Sequence, residues 1–407
     1  MMLEEKSLSK MKVVSSMFIV VNSFVWLICS SAFLKKIYDA SFPNSLSTLL
    51  WSLNSFSAAF SILFGAFLGS KIQKRKVDFF FLWILFGTLS SLSPILVDVH
   101  TLNGSLLISI LFSASLGIGL ASCMANFAEH TSLENRGKIA GATLLLIMAI
   151  GVLVSSLMTE KLLVSSIILA MWRVFCFIPL RHMYVHEKQV TKKAMDTFTS
   201  VLKDTSFVLY MIPWTTLLLI NHLFISVGTE VYGGEIIYAS ILVENFLVGI
   251  FAIVSGFICD IIGRKRLAMI GFVILGLGYA ILGIFPFNIL CWYIYILIDG
   301  SAWGMLYVIF LFTIWGDLSS NKSREKYYAI ASLPYILSNF LRFTFGPIIA
   351  ATLSAYAIFS FAAFFLFLAV IPLMFAPETL PEKVLKEREL RSYIEQAKRV
   401  REKFTKG

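Results

Sequence analysis

Long apolar runs recur along the chain, and short polar stretches separate them. Twelve runs reach the length of about 20 residues that an α-helix needs to cross a hydrocarbon core. They cover residues 12–34, 45–69, 78–98, 104–128, 138–158, 162–181, 206–228, 236–259, 267–286, 289–315, 328–352 and 355–376. The pattern predicts an all-α membrane protein with twelve transmembrane helices. The sixth run is short and carries Arg173, which is expected to snorkel toward the headgroups. The longest polar stretch between runs, 182–205, divides them six and six. The expected organisation is a six-helix half over 1–181, a cytoplasmic linker over 182–205, a second six-helix half over 206–376 and a tail over 377–407. In the tail, Val384, Leu385, Leu390, Tyr393, Ile394, Ala397, Val400 and Phe404 recur at near-helical spacing and predict a cytoplasmic amphipathic helix. The first run follows a charged stretch and lacks a small-residue cleavage site, so it reads as a retained helix.

Composition agrees with this reading. Only 14% of the 407 residues are charged, 58% are hydrophobic, and the mean hydropathy is +0.83. A soluble domain carries about 25% charged residues. Of 34 Lys and Arg, only Lys35, Lys36 and Lys161 fall on one side of the twelve-span arrangement, and only Arg173 and Arg342 lie inside runs away from their end residues. All the others share a side with the two termini, which predicts that both termini are cytoplasmic in a multi-pass plasma-membrane protein. The net charge of +10 then faces anionic lipid headgroups, and nucleic acid is not needed to explain it. The five cysteines lie in runs or at their ends without C-x-x-C spacing and read as small apolar packing residues. Trp214, Trp292, Tyr293 and Tyr295 stand near run ends and read as interfacial anchors.

The chain repeats internally. Glu129 precedes Arg136 by the same interval that separates Asp317 from Arg324, each pair following a span, and both residues recur at one offset. The loop Gly256-Phe-Ile-Cys-Asp260-Ile-Ile-Gly263-Arg264-Lys265-Arg266 is matched by Gly65-Ala-Phe-Leu-Gly69-Ser-Lys71-Ile-Gln-Lys74-Arg75. The later loop resembles the signature loop of the major facilitator superfamily, G-x-x-x-D-x-x-G-R-[KR]. The two acid-x6-Arg pairs and Pro377-Glu378-Thr379 are similar to the sugar-porter branch of that family. Departures are Gly69 in place of the loop acid, Ile72 in place of its glycine, Glu325 in place of the glycine after the arginine, and Asn221-His222 where such porters carry Gln-Gln.

The resemblance implies two inverted-repeat halves with a midplane site between them. It also implies a cytoplasmic gate built from Gly256, Asp260, Gly263, Arg264, Glu129, Arg136, Asp317 and Arg324. Asp260 is expected to cap the start of the fifth span near Lys138, and Arg264 and Arg136 to complete a cluster with Glu129. Asp317 and Arg324 form the second expected pair. With Gly69 lacking a carboxylate, the gate is expected to be asymmetric and anchored by the second half.

Ionisable residues within spans default to a functional reading because they cost several kcal/mol to insert. Asp299 and Arg342 fall at similar depth near the midplane, with Glu244 a little further out, and the three are expected to form a triad that binds a charged solute or carries a proton; the alternative is a static salt bridge. Asn339 lies on the face of Arg342, Trp303 one turn from Asp299, and His222 in the outer third of its span. Asn22 and Asn54 are the deep polar groups of the first half, read either as ligand contacts or as interhelical partners. The glycines of 228–234 predict a flexible outer end for the seventh span.

No H-E-x-x-H, P-loop or nucleophile elbow occurs, so the chain reads as a transporter, with no metal or other cofactor expected. The expected function is secondary active transport of a small polar or charged solute by proton-coupled symport in a monomer. An uncoupled facilitator, an exporter of the same fold and a non-transporting sensor are the alternatives. Partners are the solute, protons and membrane lipid.

Overall fold

The computed structural model describes residues 2–72, 75–184, 197–320 and 322–380. The expected amphipathic tail helix and residues 185–196 of the expected linker lie outside the described residues. Among these, the chain is helical throughout: α1 (Met2–Ser41), α2 (Asn44–Lys71), α3 (Lys76–Leu96), α4 (Leu102–His130), α5 (Arg136–Leu157), α6 (Leu162–Val174), α7 (Phe177–Tyr184), α8 (Phe198–Leu202), α9 (Thr205–Tyr232), α10 (Gly234–Ile262), α11 (Arg264–Ile284), α12 (Ile289–Tyr307), a π-helical segment (Val308–Thr313), α13 (Ile314–Leu318), α14 (Arg324–Thr352), α15 (Ala355–Leu368) and α16 (Val370–Phe375). In hydrocarbon each backbone N–H and C=O must be paired within its own segment, which leaves the helix as the spanning form.

Among the described residues, eleven helical stretches are long and apolar enough to cross a membrane. The expected eleventh span, α14, is not one of them. It is long enough, but Ser332, Ser338, Asn339, Arg342 and Thr344 dilute its apolar character. The sixth expected span is made of α6 and α7, and the tenth of α12, the π segment and α13.

Polar residues set where the helices start. Thr101, Asp204, Asn288 and Ser354 accept the free N–H groups of Gly104, Ser206, Leu290 and Ala357 at the first turns of α4, α9, α12 and α15. Gly233 adopts φ of 84° and divides α9 from α10. α2 packs along α4, α3 on α6, α10 on α12, and α11 on α15. α5 runs against α10 and α2 against α14, and these two contacts join residues before 181 to residues after 205.

Candidate functional site

The signature loop sits at the end of the bundle where α4, α10 and α13 finish and α5, α11 and α14 begin, hereafter the basic end. α5 and α10 meet there with no side chain between their backbones. A Cβ on Gly256 would stand 2.4 Å from the Gly137 carbonyl oxygen, and one on Gly141 would stand 2.3 Å from that of Ala252. Contact this close brings the Asp260 carboxylate onto the start of α5. Its oxygens accept the backbone N–H groups of Gly137 at 3.1 Å and Lys138 at 2.9 Å. Those donors have no partner within their own helix, and the positive end of the helix dipole favours the charge.

Arg264 lies 3.1 Å from Asp260 and donates to Asp317 at 3.2 Å, to Cys259 O at 3.1 Å and to Leu133 O at 2.6 Å. Arg136 donates to the other Asp317 oxygen, to Thr131 Oγ1 at 3.0 Å and to Ala128 O at 2.7 Å. Thr379 Oγ1 adds a third donor to Asp317 at 3.1 Å. The Asp317, Arg264 and Asp260 side chains have no solvent exposure, and Arg136 has 3%.

Two expected pairings are corrected. Glu129 does not join Arg136 and Arg264; it pairs with Lys76 at 2.8 Å and with Arg324 at 3.7 Å. Asp317 pairs with Arg136 and Arg264, and not with Arg324. Each acid at the end of α4 or α13 faces the arginine that opens α14 or α5, so the two acid-x6-Arg motifs pair across the repeat. The reason is geometric: the helices that begin with these arginines pack against the partners of the opposite segment, α5 on α10 and α14 on α2.

Sequence reasoning missed three groups here. Glu325, in the first turn of α14, stands 3.2 Å from Lys76 and reaches the space beside Gly69, where the matching loop has Asp260. The loop acid absent at Gly69 is thus replaced by a carboxylate from the facing helix. The missing glycine after Arg324 was the available signal. Lys76 was counted only as a topogenic charge. Glu378 accepts Arg264 N at 2.9 Å and Lys265 N at 3.1 Å, capping α11 where Gly263 takes φ of 100°. A Cβ at Gly263 would lie 2.3 Å from the Glu378 carboxylate.

Above this lattice lies an apolar layer. Phe312, within the π segment, sits 6.4 Å from Phe24 and 5.4 Å from Phe127, ring centre to ring centre. The segment's irregular backbone is tied by Tyr328 Oη, which donates to Phe312 O at 2.7 Å, and by Thr313 Oγ1, which donates to Ile309 O at 3.0 Å. At the opposite end of the bundle Trp51 of α2 stacks on Phe343 of α14 at 4.7 Å.

Within the spans, Glu244 and Asp299 meet between α10 and α12, carboxyl to carboxyl. Gly300 lets them: a Cβ there would press to 2.6 Å of Leu247 Cβ. Tyr295 Oη donates to Asp299 at 2.9 Å, and Trp303 lies beside the same carboxyl. Asp299 and Trp303 are buried, while Glu244 is half-buried.

The expected triad is corrected at Arg342. α14 packs chiefly on α9 and α2, which turns its polar face away from α10 and α12. Arg342 lies over the Phe343 ring at 5.3 Å, and among the described residues no carboxylate pairs with it. His222 Nδ1 lies 2.9 Å from Leu218 O and 3.1 Å from Ser338 Oγ, with its ring 5.4 Å from that of Tyr335. Asn339 is half-buried on the same helix.

Arg173 does not snorkel. It is fully buried, donates to Asn22 Oδ1 and Ser23 Oγ at 3.1 Å each, and lies 4.3 Å from the Trp83 ring and 5.4 Å from the Trp26 ring. α6 turns Arg173 toward α1 and α3, where polar and aromatic partners outcompete the headgroups. Asn22 is thereby an interhelical clamp, with Trp172 Nε1 donating to its carbonyl at 2.9 Å. Asn54 Nδ2 donates to Ser109 O at 3.2 Å. Trp214, Trp292 and Tyr295 are buried, not interfacial, because their polar tips find partners inside at Ala331 O, Ser240 Oγ and Asp299.

The sequence profile of the Major Facilitator Superfamily matches residues 206–404. No curated protein sequence matches the chain. Among solved structures, the proton:xylose symporter XylE bound to 6-bromo-6-deoxy-D-glucose superposes with a TM-score of 0.70 at 14% identity, over 92% of this chain and 97% of its own. The human organic anion transporter MFSD10 (TETRAN) does so with 0.70 at 10% identity, over 90% and 99%. A double-tryptophan variant of XylE gives 0.68 at 16%, over 95% and 99%. The fold and the basic-end lattice thus define a multi-pass membrane protein with the architecture of these transporters. Residues 206–404, just under half of the chain, match the profile of the major facilitator superfamily, and the chain as a whole has the fold of the solved transporters, sugar porters among them.

Proposed function

We propose that the chain is a secondary active transporter that moves a small polar or charged organic solute across the plasma membrane by alternating access, coupled to protons. The observation that carries this reading is the crossed lattice at the basic end. Asp317–Arg136 and Glu129–Arg324 each join the segment before residue 181 to the segment after 205. Such contacts exist only while the two segments are closed at that end, and alternating access needs contacts that differ between two states. In this reading twelve spans form two six-helix units, 1–181 and 206–376, joined by the linker 182–205. Both termini are cytoplasmic, and the basic end is the cytoplasmic gate.

Proton coupling is assigned to Glu244 and Asp299. A carboxylate accepts hydrogen bonds and donates none, so two carboxyls in contact hold a proton between them. XylE is a proton symporter, which favours symport over exchange. The test is charge displacement by proteoliposomes on a solid-supported membrane, with a panel of sugars, organic acids, amino acids and cations and with an imposed pH gradient. Solute-dependent current that follows the gradient and disappears in Glu244→Gln supports coupling through the pair. Counterflow without net current or pH dependence refutes it and leaves a facilitator.

A further inference from the structure

Glu244 and Asp299 stand in contact between α10 and α12, and their net charge follows from the number of protons they hold. With one proton between Glu244 and Asp299, one negative charge remains, stabilised by the Tyr295 hydroxyl at 2.9 Å. Among the described residues no Lys, Arg or His pairs with either carboxyl. The groups that face the pair are Tyr279 of α11, and Tyr295, Trp303 and Tyr307 of α12. Neither arginine within the spans reaches the carboxyls: Arg173 is sealed between Trp26 and Trp83, and Arg342 lies over Phe343, near Tyr335. A single charge in a low-dielectric interior is costly unless an opposite charge meets it or a second proton neutralises it, and an opposite charge on the solute leaves the shared proton free for coupling.

We propose that the solute is an organic cation whose positive charge completes the Glu244–Asp299 pair. The aromatic wall suits that ligand. The Tyr279 and Tyr295 ring centres are 5.1 Å apart, and those of Trp303 and Tyr307 are 4.6 Å apart. Aromatic faces attract a cation and do nothing comparable for an anion. Access is through the half-buried edge of the pair, where Glu244 and Tyr307 are only partly covered and Tyr335 beyond Tyr307 is 42% exposed. A carboxylate solute would add a second negative charge, and a sugar would leave the first unbalanced. The loaded site is one proton plus one cation, electrically neutral, which is the form that crosses the midplane most readily.

This inference rests on the carboxyl pair being the working site of the transporter, and the experiment separates the two. Purified full-length protein is reconstituted, and counterflow and thermal stabilisation are measured with matched solutes that differ in charge alone. Choline, 3,3-dimethylbutanol and 3,3-dimethylbutyrate share a shape as cation, alcohol and anion. Tetraethylammonium and benzyltrimethylammonium extend the cation series in size. At least one cation is expected to act at concentrations tenfold or more below its neutral and anionic counterparts, about 1.4 kcal/mol of preference. That preference is expected to vanish in Glu244→Gln and in Asp299→Asn, whose melting transitions are checked without ligand. If no cation outperforms the uncharged or anionic members, the assignment is wrong. A sugar or organic acid moved by the parent and lost in Glu244→Gln overturns the cation and leaves the transporter standing. No flux of any member, with no proton movement, removes the transport reading itself.

Discussion

Asp317→Asn tests whether the basic-end lattice is a gate. Asp317 has no solvent exposure and receives Arg136, Arg264 at 3.2 Å and Thr379 at 3.1 Å. An amide of the same size leaves two buried guanidinium groups without their common counter-ion. Removing one partner of a buried ion pair costs about 3–5 kcal/mol. Where the two segments part, both arginines meet water, so most of that cost falls on the closed form. Taking about 3 kcal/mol, the balance moves toward the open form by roughly 100-fold. A native reporter exists. Cys259 is fully buried at the α5–α10 contact, its sulfur 2.2 Å from where a Cβ on Gly137 would stand. With Cys29, Cys123, Cys176 and Cys291 replaced by alanine or serine, N-ethylmaleimide modification of Cys259 reads the open population directly. The expected result is a rate about 100-fold higher in Asp317→Asn, provided that opening is fast relative to alkylation. A rate within about threefold of the parent, a difference under 1 kcal/mol, in protein that still melts cooperatively would refute the gate.

The same labelling assay serves two further variants. Gly256→Ala places a methyl 2.4 Å from a backbone oxygen of α5 that cannot turn aside; closure is expected to fail and Cys259 to label fast, whereas Gly228→Ala, whose nearest neighbour is the Ile237 side-chain tip at 3.2 Å, is expected to label like the parent. Glu325→Gln breaks the contact with Lys76 at 3.2 Å, where side-chain exposures are 3% and 12%. A rise of about tenfold is expected, and adding Lys76→Met is expected to raise the rate further, because Lys76 also holds Glu129 at 2.8 Å and its loss removes that pair too. Outside the spans, burial alone would raise the Asp204 carboxyl, but hydrogen bonds from Lys322 and Tyr327 outweigh it and hold the group below its ordinary value of 3.8. The stability it contributes is present above pH 3.8 and is lost as pH falls below it. Asp204→Asn is therefore expected to lower the melting temperature at neutral pH and to make no difference in acid.

How much of this was legible in the sequence depends on what each residue had to choose between. Charges are scarce in the spans, so the loop Gly256–Arg266 and the repeated acid-x6-Arg pairs stood out by position. Which acid meets which arginine is a property of helix neighbours and has no local signature. The rotation of each span was the least legible feature. A helix that is apolar toward both lipid and protein carries no stripe to show which face turns inward. Arg173 and Arg342 were misplaced for that reason: depth followed from counting residues, facing did not. Tyr295 and Trp292 were misread because an aromatic near a run end has two stable homes, the interface or an interior polar partner.

The crossed pairs at the basic end have the logic of an isologous contact. Glu129 meets Arg324 as Asp317 meets Arg136, two equivalent couples generated by one repeat offset within a single chain. A two-fold dimer closes in this way, residue i on residue j and j on i. Its consequence is that charge at this end is constrained in couples: a sign change at 136 calls for one at 317, and one at 129 for one at 324. The two-fold correspondence is broken at Gly69 and Glu325, where the carboxylate has migrated from loop to facing helix while the space it fills is kept. Half-chain exchanges between relatives should close only if they carry that migrated acid and its Lys76 together.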